Sequence, residues 1–115
     1  MKPQSFQPKE RIRKRQDYLR IYDQGKKIYT RSFTVITSSN QVGIPRLGTA
    51  VGKKVGNAVK RNRIKRLLRE FFRLNKNRFP ESQDTVIIAK KGIKTLTYRD
   101  VYAELENRVL TKADV

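Results

Sequence analysis

The sequence has no cysteine, which excludes disulfides and thiolate metal sites and suits a reducing cytosol. It has no histidine either. The side chain best suited to proton transfer near neutral pH is therefore missing, and with it a histidine acid–base pair for phosphodiester cleavage. Acids are scarce, at 10 Asp+Glu. Asp17, Asp23, Glu70, Asp84 and Asp100 lie scattered along the chain, so no carboxylate cluster suggests a two-metal site. No apolar run approaches the roughly 20 residues that span a bilayer. The N-terminus, MKPQSFQPKERIRKRQ, is basic but lacks the apolar stretch of a secretory signal. A cytoplasmic protein with no metal site, no membrane span and no small-molecule substrate is expected.

What the chain has instead is base. Its 115 residues carry 28 Lys+Arg, for a formal charge of +18. That length suits one domain with a modest core. Self-repulsion of such a charge opposes compaction, so a polyanion is the expected partner, nucleic acid first and an anionic membrane surface second.

Residues 1–14, with Pro3, Pro8 and few apolar side chains, read as a flexible basic arm ahead of a domain over 15–115. In RQDYLRIYDQG, Tyr18, Ile21 and Tyr22 share a helical face, which predicts a helix over about 16–24. Gly25 is placed to end it in a left-handed cap. The β-branched and aromatic run KIYTRSFTVITS, 27–38, predicts strand, as do LGTAVG, 47–52, and DTVIIAK, 84–90. A long helix is predicted over about 57–77, with Asn57 as N-cap. A last helix is predicted over about 98–111, opened by Thr97 and Asp100 in the manner of a capping box. This order gives a small α+β domain with helices packed on a sheet of about four strands.

The long helix carries the strongest signal. VGNAVKRNRIKRLLREFF holds six cations: Lys60, Arg61, Arg63, Lys65, Arg66 and Arg69. At about 100° per residue, Leu67, Leu68, Phe71 and Asn75 fall within about 60° of Ile64, with Phe72 beside them. Asn62, Arg66, Arg69 and Arg73 fall on the opposite side. Arg61 and Lys65 lie on one border, Arg63 and Glu70 on the other. A plain solvated face would interleave acids at i+4; here only Glu70 does so. Arginine outnumbers lysine on the outward row, and its planar fork suits phosphate. Lys53 and Lys54 lie between Gly52 and Gly56 just before the helix. The N–H groups at its start could hold a phosphate, although the glycine spacing matches no nucleotide-binding motif.

KKVGNAVKRNRIKRLLRE resembles the signature of the bacterial ribonuclease P protein component, centred on the run Arg61–Asn62–Arg63. RQDYLRIYDQGK is similar to that family's first helix, RLG at 46–48 to its strand entry, and TVIIAKKG to its last strand. The resemblance implies the order α-β-β-β-α-β-α, with a left-handed crossover that the right-handed rule would not anticipate. It implies the protein subunit of an endoribonuclease ribonucleoprotein, whose RNA performs the catalysis with Mg²⁺ and removes the 5′ leader of precursor tRNA. By position, Lys53, Lys54, Asn57, Arg61, Asn62, Arg63, Lys65, Arg66 and Arg69 match the face toward the catalytic RNA. Tyr18 and Tyr22 match aromatic positions of a cleft that receives the single-stranded leader, and Phe33 an aromatic on the following strand. Ile36 stands where some relatives carry an aromatic facing the leader.

The residues themselves support stacking at Tyr18 and Tyr22, because single-stranded RNA is held by aromatic platforms beside basic grooves. A core role with the hydroxyl at the rim is the competing reading. Two other functions stay open at this level: a ribosomal or other structural RNA-binding protein, and a DNA-binding protein using 57–77 as a recognition helix.

Overall fold

A computed structural model describes residues 6–94 and 96–111 of the chain. Three helices and four strands follow in the order α1 (Arg15–Gln24), β1 (Lys26–Tyr29), β2 (Phe33–Ser39), β3 (Arg46–Ala50), α2 (Ala58–Leu74), β4 (Gln83–Ala89) and α3 (Tyr98–Val109). The sheet order is β1-β2-β4-β3. β1 and β4 flank β2 in antiparallel pairing, while β3 runs parallel to β4. The parallel pair is joined through α2, so the basic helix is itself the crossover.

Alternation along the strands sorts side chains onto two faces. Phe33, Val35, Leu47 and Ile87 enter the larger core with Ile64, Leu68, Phe71 and Phe72 of α2 and Val101 and Leu105 of α3. Ile36 and Val86 face the other way and pack beneath Ile21, Tyr18 and Tyr22 of α1. The sheet thus separates α1 from α2 and α3.

The single strand expected over 27–38 is a hairpin. Residues 30–32 turn because Thr30 N–H donates to Phe33 O at 2.8 Å, and Glu104 of α3 accepts from Ser32 N–H at 2.6 Å and from the Thr30 hydroxyl. Asn57 caps α2 as predicted, its side chain accepting from Lys60 N–H at 2.9 Å. The Thr97–Asp100 capping box forms in full. Asn75, placed on the inner stripe of α2, ends the helix; its amide donates to Phe71 O at 2.8 Å and to the Tyr98 hydroxyl at 2.9 Å.

Gly25 corrects the sequence reading. Its φ of −76° is extended rather than left-handed. Glycine is required there by close approach: a Cβ would stand 2.4 Å from Ile36 Cγ2 and 2.5 Å from Ile21 O. Gly25→Ala is expected to destabilise the fold by about 1–3 kcal/mol through overpacking, measurable by urea denaturation. A loss below about 0.5 kcal/mol would show that α1 shifts freely over the sheet.

Residues 1–5 of the expected arm lie outside the described residues, but 6–14 lie against the domain. Phe6 meets Phe72 edge-on, with ring centroids 5.3 Å apart, and Ile12 is buried. Ile12 N–H donates to Leu47 O at 3.0 Å, so the arm covers part of the free edge of β3. Glu10 is buried and paired with Lys76 at 2.9 Å. Charge dominates this segment by count, but two apolar anchors and one acid decide where it goes.

Candidate nucleic-acid interface

α2 presents the two faces that its angles require. Ile64, Leu68, Phe71 and Phe72 are buried, and Leu67 is half-buried. Asn62, Arg66 and Arg69 are exposed on the opposite side, and Arg61 and Lys65 are half-buried at its border. Lys53 and Lys54 stand exposed in a 3₁₀ turn, Lys53–Val55, at the approach to the helix. Among the described residues, no carboxylate lies within ion-pair distance of the seven cations Lys53, Lys54, Arg61, Arg63, Lys65, Arg66 and Arg69. Arg63 is partly committed, donating to Leu96 O at 3.1 Å. Glu70, the one acid on the outward side, is taken by Arg73.

The row continues around the edge of β3. A niche of about 290 Å³ is lined by Arg11, Arg13, Lys65 and Arg69 together with Tyr18. Here the arm, α1 and α2 meet, so the cationic face of α2 and the tyrosine face of α1 are continuous although the sheet separates the two helices. A larger groove of about 750 Å³, between Lys90, Lys91 and Glu104, contains none of the candidate RNA-binding residues.

Tyr18 and Tyr22 come together, with ring centroids 6.2 Å apart at 64°. Tyr18 lies across Gly48, where a Cβ would fall 2.7 Å from its hydroxyl, and donates to Ile12 O at 3.0 Å. Both readings of Tyr18 are thus partly realised: its ring is seated on the sheet, and its edge opens to the niche. Burial raises its pKa, Tyr22 adds to the rise, and Arg69 opposes it. Burial also raises the pKa of Tyr22.

The structure does not bring the other two cleft candidates to this surface. Phe33 is completely buried in the larger core, on the opposite face of the sheet. Ile36 is on the α1 face but sealed beneath Gly25. Two features escaped the sequence reading. Asp84, fully buried, holds α1 to the sheet: Arg46 grips both of its oxygens at 2.8 Å, and Arg20 and Asn40 each donate at 2.8 Å. Tyr29 stands exposed on β1. The sign of a buried clamp was present in Asp84 itself, an acid opening an otherwise apolar strand in a strongly cationic chain.

Among the described residues, no group of three or more Asp, Glu, His or Cys is placed to hold a metal ion, and no helix is long and apolar enough to cross a membrane.

The profile of the family described as Ribonuclease P matches residues 6–114. The chain is 58% identical over 105 residues to the "Ribonuclease P protein component" of Syntrophus aciditrophicus (strain SB), covering 91% of this chain and 88% of that protein. Among solved structures, the Staphylococcus aureus RNase P protein superposes with a TM-score of 0.79 at 36% identity, covering 89% of this chain and 98% of that one. The Thermotoga maritima RNase P protein gives the same TM-score of 0.79 at 36% identity, over 87% and 94% of the two chains.

Proposed function

The chain belongs to the ribonuclease P protein family, the protein components of a ribonucleoprotein endoribonuclease that processes tRNA, and from that premise we propose how its two surfaces act. The outward face of α2, with Lys53, Lys54 and Asn57 at its approach, docks on the catalytic RNA. The face formed by α1 and the sheet receives the single-stranded 5′ leader of precursor tRNA, with Tyr18 and Tyr22 as the stacking groups. Ile36 supports that platform from beneath, whereas Phe33 belongs to the core on the other face of the sheet. The observation that carries this reading is the set of unpaired cations on α2, anchored by a buried apolar face and continuous with Tyr18. In a chain with so few acids, Glu70, the one carboxylate on α2, is engaged by Arg73, which leaves the row free for phosphate.

The described residues do not fit a catalytic metal site, and the sequence offers no histidine. The RNA subunit therefore performs the hydrolysis with its own Mg²⁺. The protein binds the RNA, orients the leader and screens phosphate repulsion, in the cytoplasm where tRNA is made. Family membership favours this over a ribosomal role or a DNA-binding role. Reconstitution with the RNA subunit at low Mg²⁺ tests it: stimulated precursor cleavage is expected, whereas metal-dependent cleavage by the pure protein would overturn the division of labour.

A second measurement isolates the cleft. Tyr22→Ala is expected to weaken precursor tRNA binding by about 1–3 kcal/mol, the worth of one stacked base, and to leave mature tRNA unaffected because it has no leader. Equal losses for the two tRNAs would remove Tyr22 from the leader path.

A further inference from the structure

Among the described residues, Tyr29 is the second most exposed of the large apolar or aromatic side chains, at 63%, and its position in the sheet is informative. Residues paired across strands share a face. Lys27 pairs with Ile36, and Ile36 with Val86, both beneath α1. Tyr29, two residues beyond Lys27, pairs with Thr34, which pairs with Ile88. Tyr29 therefore stands on the α1 face of the sheet. Ile36 and Val86 are buried there, whereas Thr34 and Ile88 are only half-buried. The floor under α1 thus runs on beyond the helix and ends at an aromatic ring. By strand geometry, Tyr29 lies about 8 Å from Ile36, two residues along and one strand over.

The surroundings of the ring are cationic. Lys90 Nζ is 6.0 Å from its centroid and is oriented by donating to Thr30 O. Lys27, two residues back on the same face of the strand, is exposed. An open aromatic face flanked by ammonium groups suits a nucleobase with its phosphate, and it disfavours an apolar protein partner, which would have to desolvate two lysines.

We propose that Tyr29 is a second stacking position for single-stranded RNA, carrying a base farther along the leader than the one at Tyr22. The inference rests on the leader reading of the α1 face and deepens it: leader contact extends across the sheet to its β1 edge. It predicts that affinity keeps rising with leader length after the Tyr18–Tyr22 platform is filled.

The test uses the reconstituted holoenzyme and precursor tRNAs whose leaders are shortened one nucleotide at a time. Tyr29→Ala is expected to weaken the longer-leader precursors roughly 5- to 150-fold, with no effect on short-leader precursors or mature tRNA. Tyr29→Phe should retain binding. In the wild type, one abasic leader position should reproduce the loss, and that position should become silent in Tyr29→Ala. Tyr22→Ala separates the two ideas. If Tyr22→Ala discriminates precursor from mature tRNA and Tyr29→Ala loses nothing, or loses equally at every leader length, the role of Tyr29 is refuted and the cleft stands. If neither variant discriminates, both fail.

Discussion

Asp84→Ala is expected to lower the unfolding free energy by about 3–5 kcal/mol, the usual consequence of removing one partner from a buried ionic cluster. Against the 5–15 kcal/mol typical of a domain, such a loss leaves a substantial unfolded fraction at moderate temperature. Deletion would leave Arg46, only 16% exposed, and the partly buried Arg20 facing each other with no anion between them. The carboxylate also has a particular titration. Burial by itself pushes its pKa up, but hydrogen bonds from Arg46, Asn40 and Arg20 outweigh that, and the net shift is downward. A group with a depressed folded pKa contributes stability that is present above its unfolded value near 3.9 and is lost as pH falls through the folded value. Urea denaturation at pH 7 and along a series below pH 4 checks both statements. The wild type should lose this contribution on acidification, whereas Asp84→Asn should already lack it at pH 7. A loss under 1 kcal/mol for Asp84→Ala would mean that the two arginines find water without strain. Because Arg20 belongs to α1, the same substitution should also blunt the distinction between precursor and mature tRNA that Tyr22 provides.

Local signals made α2 legible. Its apolar and basic residues segregate at helical angles, Asn57 caps it, and the burial of Ile64, Leu68 and Phe71 follows directly. The Thr97–Asp100 box marked the start of α3 in the same way. Where the determinant is a contact distant in sequence, the residues were silent. The turn at 30–32 has neither glycine nor proline and is held by Glu104, more than seventy positions away. Without that turn, the run 27–38 cannot be split, and the face taken by Phe33 cannot be assigned. The hairpin also places Tyr29 on the α1 face, so the exposed ring was hidden for the same reason. Gly25 looked like a cap because glycine ends many helices, but its role is set by Ile36 on a neighbouring strand. The arm was judged by its charge, while Phe6 and Ile12 fix its path.

The affinity for the RNA subunit should fall about 10³- to 10⁵-fold between roughly 50 and 200 mM salt if about 6–10 phosphates are neutralised. The seven signature cations lie at the low end of that range, and Arg11, Arg13 and Arg73 extend the surface beyond them. A steep slope alone would follow from any chain of charge +18, so the informative quantity is its change in variants. Arg66→Ala and Arg69→Ala should each weaken assembly and reduce the magnitude of the logarithmic slope by about 1, since each removes one phosphate contact. Arg63→Ala should change the slope less, because part of its guanidinium is already spent on Leu96 O. Arg66→Lys separates charge from geometry: the slope should be retained because the cation remains, while affinity drops with the loss of the bidentate fork. Titrations of labelled RNA at several salt concentrations read slope and affinity together. Slopes unchanged in both Arg66→Ala and Arg69→Ala would mean that the outward row of α2 does not lie on phosphate. The positive charge would then act only as a long-range field, and the docking surface would have to be sought elsewhere on the molecule.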